Sequence, residues 1–546
     1  MMMHDVLIAG GGLAGLTLAL QLKDSMPDLD VRVVERRSHP VPVAAHKVGE
    51  STVEIGAHYF AETLRLREHL DERHVRKFGF RFFWSEGARD LGGVTELGAS
   101  RFLSTPAWQI DRGIFENFLA EEAVRRGVKF QDGTTVKRIE LDAAAGHRVE
   151  IERDGAREPI VARWLIDASG RAGLLKRKLD LAEDNAHDAN AVWFRLDARL
   201  DIDDWVADPA WRGRCDPPAR WRSTNHLCGT GYWMWLIPLG SGAHSVGIVA
   251  DAALHPLESM NTFERAIEWI AAHQPVVHDR IRRILDRSPD ALMDFAFFRN
   301  FSYGCRQVFS RDRWALTGEA GWFLDPFYSP GSDFIAIGNT YITELIHVDR
   351  AGEPLRKPVL LYGEFFRQFY DSMLTLYTGQ YALFGDARVM PVKVLWDYAY
   401  YWGVLCPLFF QHCLTDRARL DGLEPLLTRA SALNSAMQAF MREWSAATHA
   451  EGDDTRAAAK DMLDQAALPW FAELNRGLTD RLDEAGIRAR LRANVDQLER
   501  LAAEIAGLAL REAPALTPYL PAGVSPGTGS SLLNGMISTR SCMASI

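Results

Sequence analysis

Three glycines near the start of the chain, Gly10, Gly12 and Gly15, stand in the spacing G-x-G-x-x-G. A dinucleotide needs that spacing. One glycine makes a tight turn, one lets backbone approach a pyrophosphate, and the third lets a helix pack closely on a strand. Leu13 and Ala14 lie within that turn and join the cofactor-binding set, and the N–H groups at the start of the helix that follows face the phosphates. Glu35 follows Gly15 by 20 residues, where a carboxylate can accept from ribose hydroxyls; this favours a free 2′-hydroxyl over NADP. The spacing alone does not separate FAD from NAD. Two further groupings carry side chains able to do chemistry. In Trp233-x-Trp235-x-Ile237-Pro238 the two indoles share one strand face, because positions two apart do so. In Lys77-Phe-Gly-Phe-Arg-Phe-Phe-Trp84, alternation would set Lys77, Gly79 and Arg81 on one face and Phe78, Phe80, Phe82 and Trp84 on the other. On that pattern Lys77 is either a reactive amine or the wet face of an edge strand.

Regular elements must position these residues. Residues 5–9 form a short apolar run suited to a buried parallel strand, 16–23 read as helix and 31–35 as the next strand. A helical pattern dominates 101–130, and 149–166 read as a hairpin ending in a buried strand. Strand-like runs cover 232–238 and 244–250, and 314–318 form another short strand ending at glycine. From about 340 to 511 the sequence is mostly helical. After Ala513 it is rich in Pro, Gly and Ser and is expected to be poorly ordered. No internal repeat is present.

Composition narrows the function. The chain has 546 residues, 47% hydrophobic and 25% charged, which excludes wholesale disorder and points to roughly three or four structural units. Its 72 acidic against 62 basic residues give a net charge of −10, which argues against a nucleic-acid partner. The six cysteines, Cys215, Cys228, Cys305, Cys406, Cys413 and Cys542, include no C-x-x-C pair. Neither a disulfide framework nor a metal site is therefore expected, and a reducing cytoplasm fits. The apolar residues 6–22 lack the basic start of a signal peptide. The run 394–414 is interrupted by Asp397, Pro407, Gln411 and His412, so it reads as a buried or lid-forming helix and not a transmembrane segment. Gly523-Val-Ser-Pro-Gly527 fits G-x-S-x-G but lacks the strand and helix that a nucleophile turn requires.

Several segments resemble those of flavoprotein monooxygenases. The run from Trp108 to Leu119 is similar to a helix whose arginine, here Arg112, reaches the flavin. Leu165-Ile-Asp167-Ala-Ser-Gly170 resembles a second nucleotide-side motif, and 316–326 resemble the late motif that contacts the ribityl chain. The family usually has aspartate where this chain has Glu319, an acid longer by one methylene. The resemblance implies FAD as cofactor, with Val136 and Asp325 in the cofactor-binding set. Adding W-x-W-x-I-P, the sequence resembles the flavin-dependent halogenases, and the Lys77 segment is most like that of the phenol halogenases. Lys47-Val48-Gly49-Glu-Ser-Thr52 is similar to the family's flavin strap, with Lys47 toward the FAD phosphates.

That resemblance implies roles. Trp233, Trp235, Ile237 and Pro238 would wall the flavin off from organic substrate, so that the flavin hydroperoxide meets halide. Lys77 would hold the hypohalous species, since an ammonium can hydrogen-bond it and a partly desolvated amine can be N-halogenated. Ser329, Gly331 and Ser332 match the halide loop. Tryptophan halogenases carry glutamate and threonine there; this chain has Tyr328 and Pro330, and proline offers no N–H to an anion. A phenol needs less activation than an indole, so the departure favours a phenolic or electron-rich aromatic substrate. It leaves open whether that substrate is free or tethered to a carrier protein.

The expected fold class is α/β: a monooxygenase-like Rossmann FAD module with an inserted sheet domain and a helical C-terminal region. The segments 1–184 and 301–345 would form the FAD module, 185–300 the sheet insertion, 346–512 a helical cap and 513–546 a tail. The implied activity is an FADH2-dependent halogenase using chloride or bromide and served by a separate flavin reductase. An FAD-dependent aromatic hydroxylase and a non-catalytic flavoprotein binding module are the alternatives.

Overall fold

The computed structural model describes residues 3–44, 48–450, 462–527 and 532–533. It divides into two compact units. The first comprises the segments up to His74, Ile110–Ala186 and Phe301–Asp371. Its sheet runs in the order Lys129–Gln131, Val31–Val34, Met3–Ala9, Ala156–Asp167, His147–Arg153, Thr135–Glu140, with Trp314–Leu316 also paired to Ala156–Asp167. The glycine turn leaves the central strand Met3–Ala9, whose Val6, Leu7 and Ile8 are fully buried, as a strand covered on both faces must be. Ala156–Asp167 serves three partners, Trp314–Leu316 running parallel to its last residues. Its first half pairs antiparallel with His147–Arg153, and its buried second half runs parallel to Met3–Ala9.

The helix Leu13–Ser25 begins directly after the turn, three residues earlier than apolar periodicity indicates. Buried Asn339, on the helix Gly331–Arg350, ties this layer together. Its amide donates to the Ala14 carbonyl, Thr17 Oγ1 and Tyr59 Oη, and its carbonyl accepts from Thr317 Oγ1 at 2.7 Å. The helical pattern over 101–130 contracts to Arg112–Arg125. Pro106 has no N–H to donate, Trp108–Gln109 pairs as strand with Val75–Arg76, and Gly127 at φ +85° ends the helix.

The second unit comprises Val75–Gln109, His187–Asn300 and the chain from Ser372 onward. Its eight-stranded sheet runs Leu292–Phe298, Ala189–Leu196, His244–Asp251, Tyr232–Pro238, Thr224–Gly229, Phe80–Trp84, Thr95–Gly98, Met462–Asp464. Residues 75–109 therefore build this sheet, although a linear division at 184 groups them with the FAD segments. One face packs Val192, Phe194, Met234, Leu236 and Ile248 against Ile267, Trp269 and Ile281 of the helices Phe263–His273 and Pro275–Arg287. Helices Val389–Tyr400, Arg417–Ala450, Pro469–Arg476 and Glu484–Glu512 complete the unit. The apolar run 394–414 lies in a buried helix with a π-turn at Tyr401–Leu405, and no helix among the described residues is long and apolar enough to cross a membrane. Beyond Ala513 the chain forms the 3-10 helix Pro514–Tyr519; half of the expected tail, with Cys542, lies outside the described residues.

Inside the second sheet, Glu96 holds two arginines. Arg81 and Arg220 both donate to its carboxylate, Arg220 Nε at 2.8 Å, and all three side chains are at most 1% exposed. Asp203 and the carbonyls of Ala99 and Trp211 take further guanidinium donors. Among the described residues, removing the shared acid leaves Arg81 without a carboxylate and Arg220 with Asp203 alone, at 3.4 Å. Glu96→Gln should lower unfolding free energy by about 3–5 kcal/mol in denaturant titration, whereas Arg157→Ala, which breaks exposed pairs with Glu150 and Glu152, should leave the unfolding midpoint close to the parent's.

Candidate functional site

In the first unit each fingerprint glycine answers a separate steric demand. Gly10 sits at φ +125°, and a Cβ there would lie 2.2 Å from the Ala168 carbonyl oxygen. A Cβ on Gly15 would lie 2.0 Å from the Gly10 oxygen. Gly12 differs: a Cβ there meets no atom of a described residue within 4 Å. Gly12 is the N-cap of Leu13–Ser25, and no side chain caps the helix. The donors of its first turn, through Leu13 and Ala14, are thus left for an anion. Glu35 lies at the end of Val31–Val34, fixed by the N–H of Gly11 at 2.6 Å on Oε2 and that of Arg37 at 2.8 Å on Oε1. Carboxylate oxygens accept more than one hydrogen bond, so this anchored acid can also take ribose hydroxyls.

Asp167 is spent on the fold. Its Oδ1 accepts from Ser169 N–H and Oγ, its Oδ2 accepts from Leu175 N–H at 2.6 Å, and burial raises its pKa. It shapes the turn beside Gly10 without turning either oxygen outward. Arg112 opens its helix and bridges inward, donating to the Val48 carbonyl at 2.7 Å and to Glu116 Oε1 at 2.6 Å. It thereby pins the Val48–Gly49 segment, whose next residue accepts Ile110 N–H through the Glu50 carbonyl. Lys47 lies outside the described residues. Glu319 falls in the 3-10 turn Gly318–Ala320, where its carbonyl accepts the Tyr303 hydroxyl at 2.7 Å. Beside it, Lys176 donates to the Gly321 carbonyl and stacks on Tyr303; burial lowers its pKa to about 8. Lys176 had no motif to announce it. Val136 stands apart from these groups, half-buried on the outer strand of the sheet opposite Ile151.

Buried Asp325 caps the turn Pro326–Tyr328 by accepting Phe327 N–H. Ser329 adopts φ +51°, and its N–H is bonded to the Pro326 carbonyl at 2.8 Å. Its amide is therefore not available to an anion. Gly331 and Ser332 open the 20-residue helix Gly331–Arg350, so their N–H groups precede its hydrogen-bond ladder. A Cβ on Gly331 would meet open space, and the Ser332 hydroxyl is buried without an acceptor or donor. These are two amides and a hydroxyl at the positive end of a long helix, chemistry suited to a small anion.

The second unit holds the remaining residues. Trp233 and Trp235 lie on the sheet face opposite the aliphatic core, ring centroids 5.7 Å apart and both nearly fully buried. Their indole N–H groups are committed to Tyr381 Oη at 3.1 Å and Ser245 Oγ at 3.0 Å. Ile237 and Pro238 continue the same buried strand. The expected alternation around Lys77 fails. Gly79 turns the chain at φ +80°, the strand starts only at Phe80, and it is interior, between Thr224–Gly229 and Thr95–Gly98. Lys77 is consequently not on a wet face. It is 5% exposed, and its Nζ sits 3.3 Å from the Phe80 ring centroid. Arg81 is equally dry but belongs to the Glu96 cluster. Beyond Phe80 come His226, stacked on Phe82 at 4.6 Å and 5.1 Å from Trp233, and Tyr398, 6.0 Å from Phe80. His226 and Tyr381, absent from any motif, join the lysine and the tryptophans into one aromatic wall. Among the described residues no cluster of His, Cys, Asp or Glu is placed to hold a metal.

Comparison with known proteins follows this geometry. Residues 3–228 match a family model described as an FAD binding domain. The chain is 25% identical over 455 residues to the flavin-dependent halogenase chlA of Dictyostelium discoideum, spanning 76% of this chain and 73% of that protein. It is 26% identical over 339 residues to a 1H-pyrrole-2-carbonyl peptidyl-carrier-protein brominase of Pseudoalteromonas luteoviolacea, spanning 61% of this chain and 74% of that protein. The crystal structure of the halogenase PltM shares the fold, with TM-score 0.60 and 18% identity over 92% of this chain and 97% of that one.

The open space at Gly12 and the crowding at Gly15 predict different failures. Gly12→Val should fold with an unfolding midpoint close to the parent's yet retain no FAD after desalting, read by flavin absorbance. Gly15→Val should lose both flavin and folded protein, because its side chain enters the Gly10 carbonyl.

Proposed function

We infer that this chain, a member of the flavin-dependent halogenases, oxidises chloride or bromide and places the halogen on a phenolic or otherwise electron-rich aromatic ring through Lys77. FAD, bound in its reduced form, supplies the two-electron chemistry by which O2 converts halide to a hypohalous oxidant. The chain's own residues do the rest. Gly10, Gly12, Leu13, Ala14 and Gly15 would hold the pyrophosphate, and Glu35 the ribose. Gly331 and Ser332 would hold the halide with two amides and a hydroxyl, while Asp333 is drawn aside by Gly56 N–H at 2.8 Å. Trp233 and Trp235 would keep organic substrate from the flavin, so that the oxidant is consumed by halide.

The observation that carries the lysine reading is the burial of Lys77 over Phe80. A surface lysine keeps its ammonium in water; this one spends it within an aromatic wall. Nearly dry, its ammonium can donate to hypohalous acid, and the walls around it suit a flat ring. Tyr328 and Pro330 leave the halide loop without a carboxylate to assist a weakly activated ring, which supports a phenolic substrate. A carrier-tethered form is consistent with the brominase relative, whose named substrate is carrier-bound. A cytoplasmic setting would provide the separate reductase that delivers FADH2.

Purified protein should form product only with an added flavin reductase, and mass spectrometry should find halogen in it only when halide is present. Hydroxylated product from NADH alone would replace this reading with that of an aromatic hydroxylase.

Lys77→Ala should keep flavin binding and oxygen consumption while halogenated product falls to background. Lys77→Arg should fail as well, because a guanidinium stays protonated and forms no N-halogen adduct. Halogenation by Lys77→Arg near the parent rate would make Lys77 structural.

A further inference from the structure

We propose that Arg76 and Arg222 form a subsite for a phosphate, the one at the root of a long thioester arm that carries the aromatic substrate. The two arginines come from separate segments and meet at one ring. Arg76 ends the short strand Val75–Arg76, with its Cζ 4.9 Å from the Phe102 centroid; Arg222 ends the turn Arg220–Arg222, with its Cζ 5.0 Å from the same centroid. Their charges are therefore no more than about 10 Å apart, within one screening length at 0.1 M salt.

Neighbouring cations are treated differently. Arg81 and Arg220 are neutralised by Glu96 and Asp203. Among the described residues, Arg76 and Arg222 have neither an ion pair nor a side-chain hydrogen bond. Arg222 is half-buried, and its Nε is shut off from solvent with no acceptor. Burial and the charge of Arg76 both lower its pKa. A fold with net charge −10 thus holds two like charges together without a counter-ion, a cost that an oxyanion accepting from both forks would relieve.

The next residue indicates which oxyanion. Arg76 is exposed and turned to Phe102, whereas Lys77 is buried and turned to Phe80, as adjacent residues of an extended chain point to opposite sides. A small aromatic acid cannot touch both. A phosphate at the surface, with a flexible arm leading its acyl end inward, can do so. The arm's destination rests on the Lys77 reading; the phosphate subsite does not.

The test is calorimetric titration of the FAD-saturated full chain with 4′-phosphopantetheine and with pantetheine, which differ only in the phosphate. The phosphorylated compound should bind at least about tenfold tighter, and Arg76→Gln/Arg222→Gln should erase that preference. Arg76→Gln alone, at an exposed position that cannot disturb the core, should cut it at least about threefold. Equal affinities in the parent, or a preference that survives the double substitution, would overturn the subsite. Phenyl phosphate binding as tightly as 4′-phosphopantetheine would overturn the arm in favour of a small phosphorylated aromatic. Lys77→Ala should retain the phosphate preference, so failure of the lysine reading and failure of the arginine subsite are separately visible.

Discussion

Closeness of backbone to backbone at Gly10 and Gly15 is the constraint on which the first unit rests. Helix Leu13–Ser25 can follow strand Met3–Ala9 so tightly only because neither glycine carries a Cβ. The same approach seats Ala168 N–H on the Ala9 carbonyl and Thr317 N–H on the Asp167 carbonyl, so three sheet strands end together at the turn. Residues that would handle a dinucleotide sit at those strand ends, where parallel α/β sheets gather ligands. Asp167 and Asn339 hold this arrangement from inside, each with its hydrogen-bonding capacity turned inward.

In the second unit the governing fact is how charge is kept in a dry interior. Glu96 pairs with two guanidinium groups, Asp203 adding to Arg220, and so lets the sheet close over them. Lys393 and Asp397 pair within one helix, with Gln438 donating to the other carboxylate oxygen. Lys77 is buried otherwise, against the face of Phe80. An ammonium over an aromatic face is attracted by the ring's quadrupole.

The glycine fingerprint, the acid at Glu35 and the two tryptophans were readable because each rests on local spacing: a turn of six residues, one strand later, one strand face. Local spacing also misled. Alternation set Lys77 on one face with Gly79 and Arg81 and left a wet edge open for it, and one residue, Gly79, broke the pattern by adopting a conformation that alternation does not foresee. The 101–130 helix was overextended for a similar reason, since Trp108–Gln109 found a strand partner more than thirty residues earlier in the chain.

Sequence by itself determined the parallel α/β opening, the nucleotide cradle, the paired indoles and the helical C-terminal region, since short-range periodicity and backbone sterics dictate each of them. Tertiary structure alone decided what those residues face. It buried Lys77, committed Asp167 and the Ser329 amide to the fold, set the amides of Gly331 and Ser332 ahead of a helix's hydrogen-bond ladder, and brought His226 and Tyr381 to the tryptophan wall. It also set Arg76 and Arg222 on one ring. Burial and hydrogen-bond satisfaction depend on segments far apart in the chain, and no spacing along one segment encodes what another will bring to it.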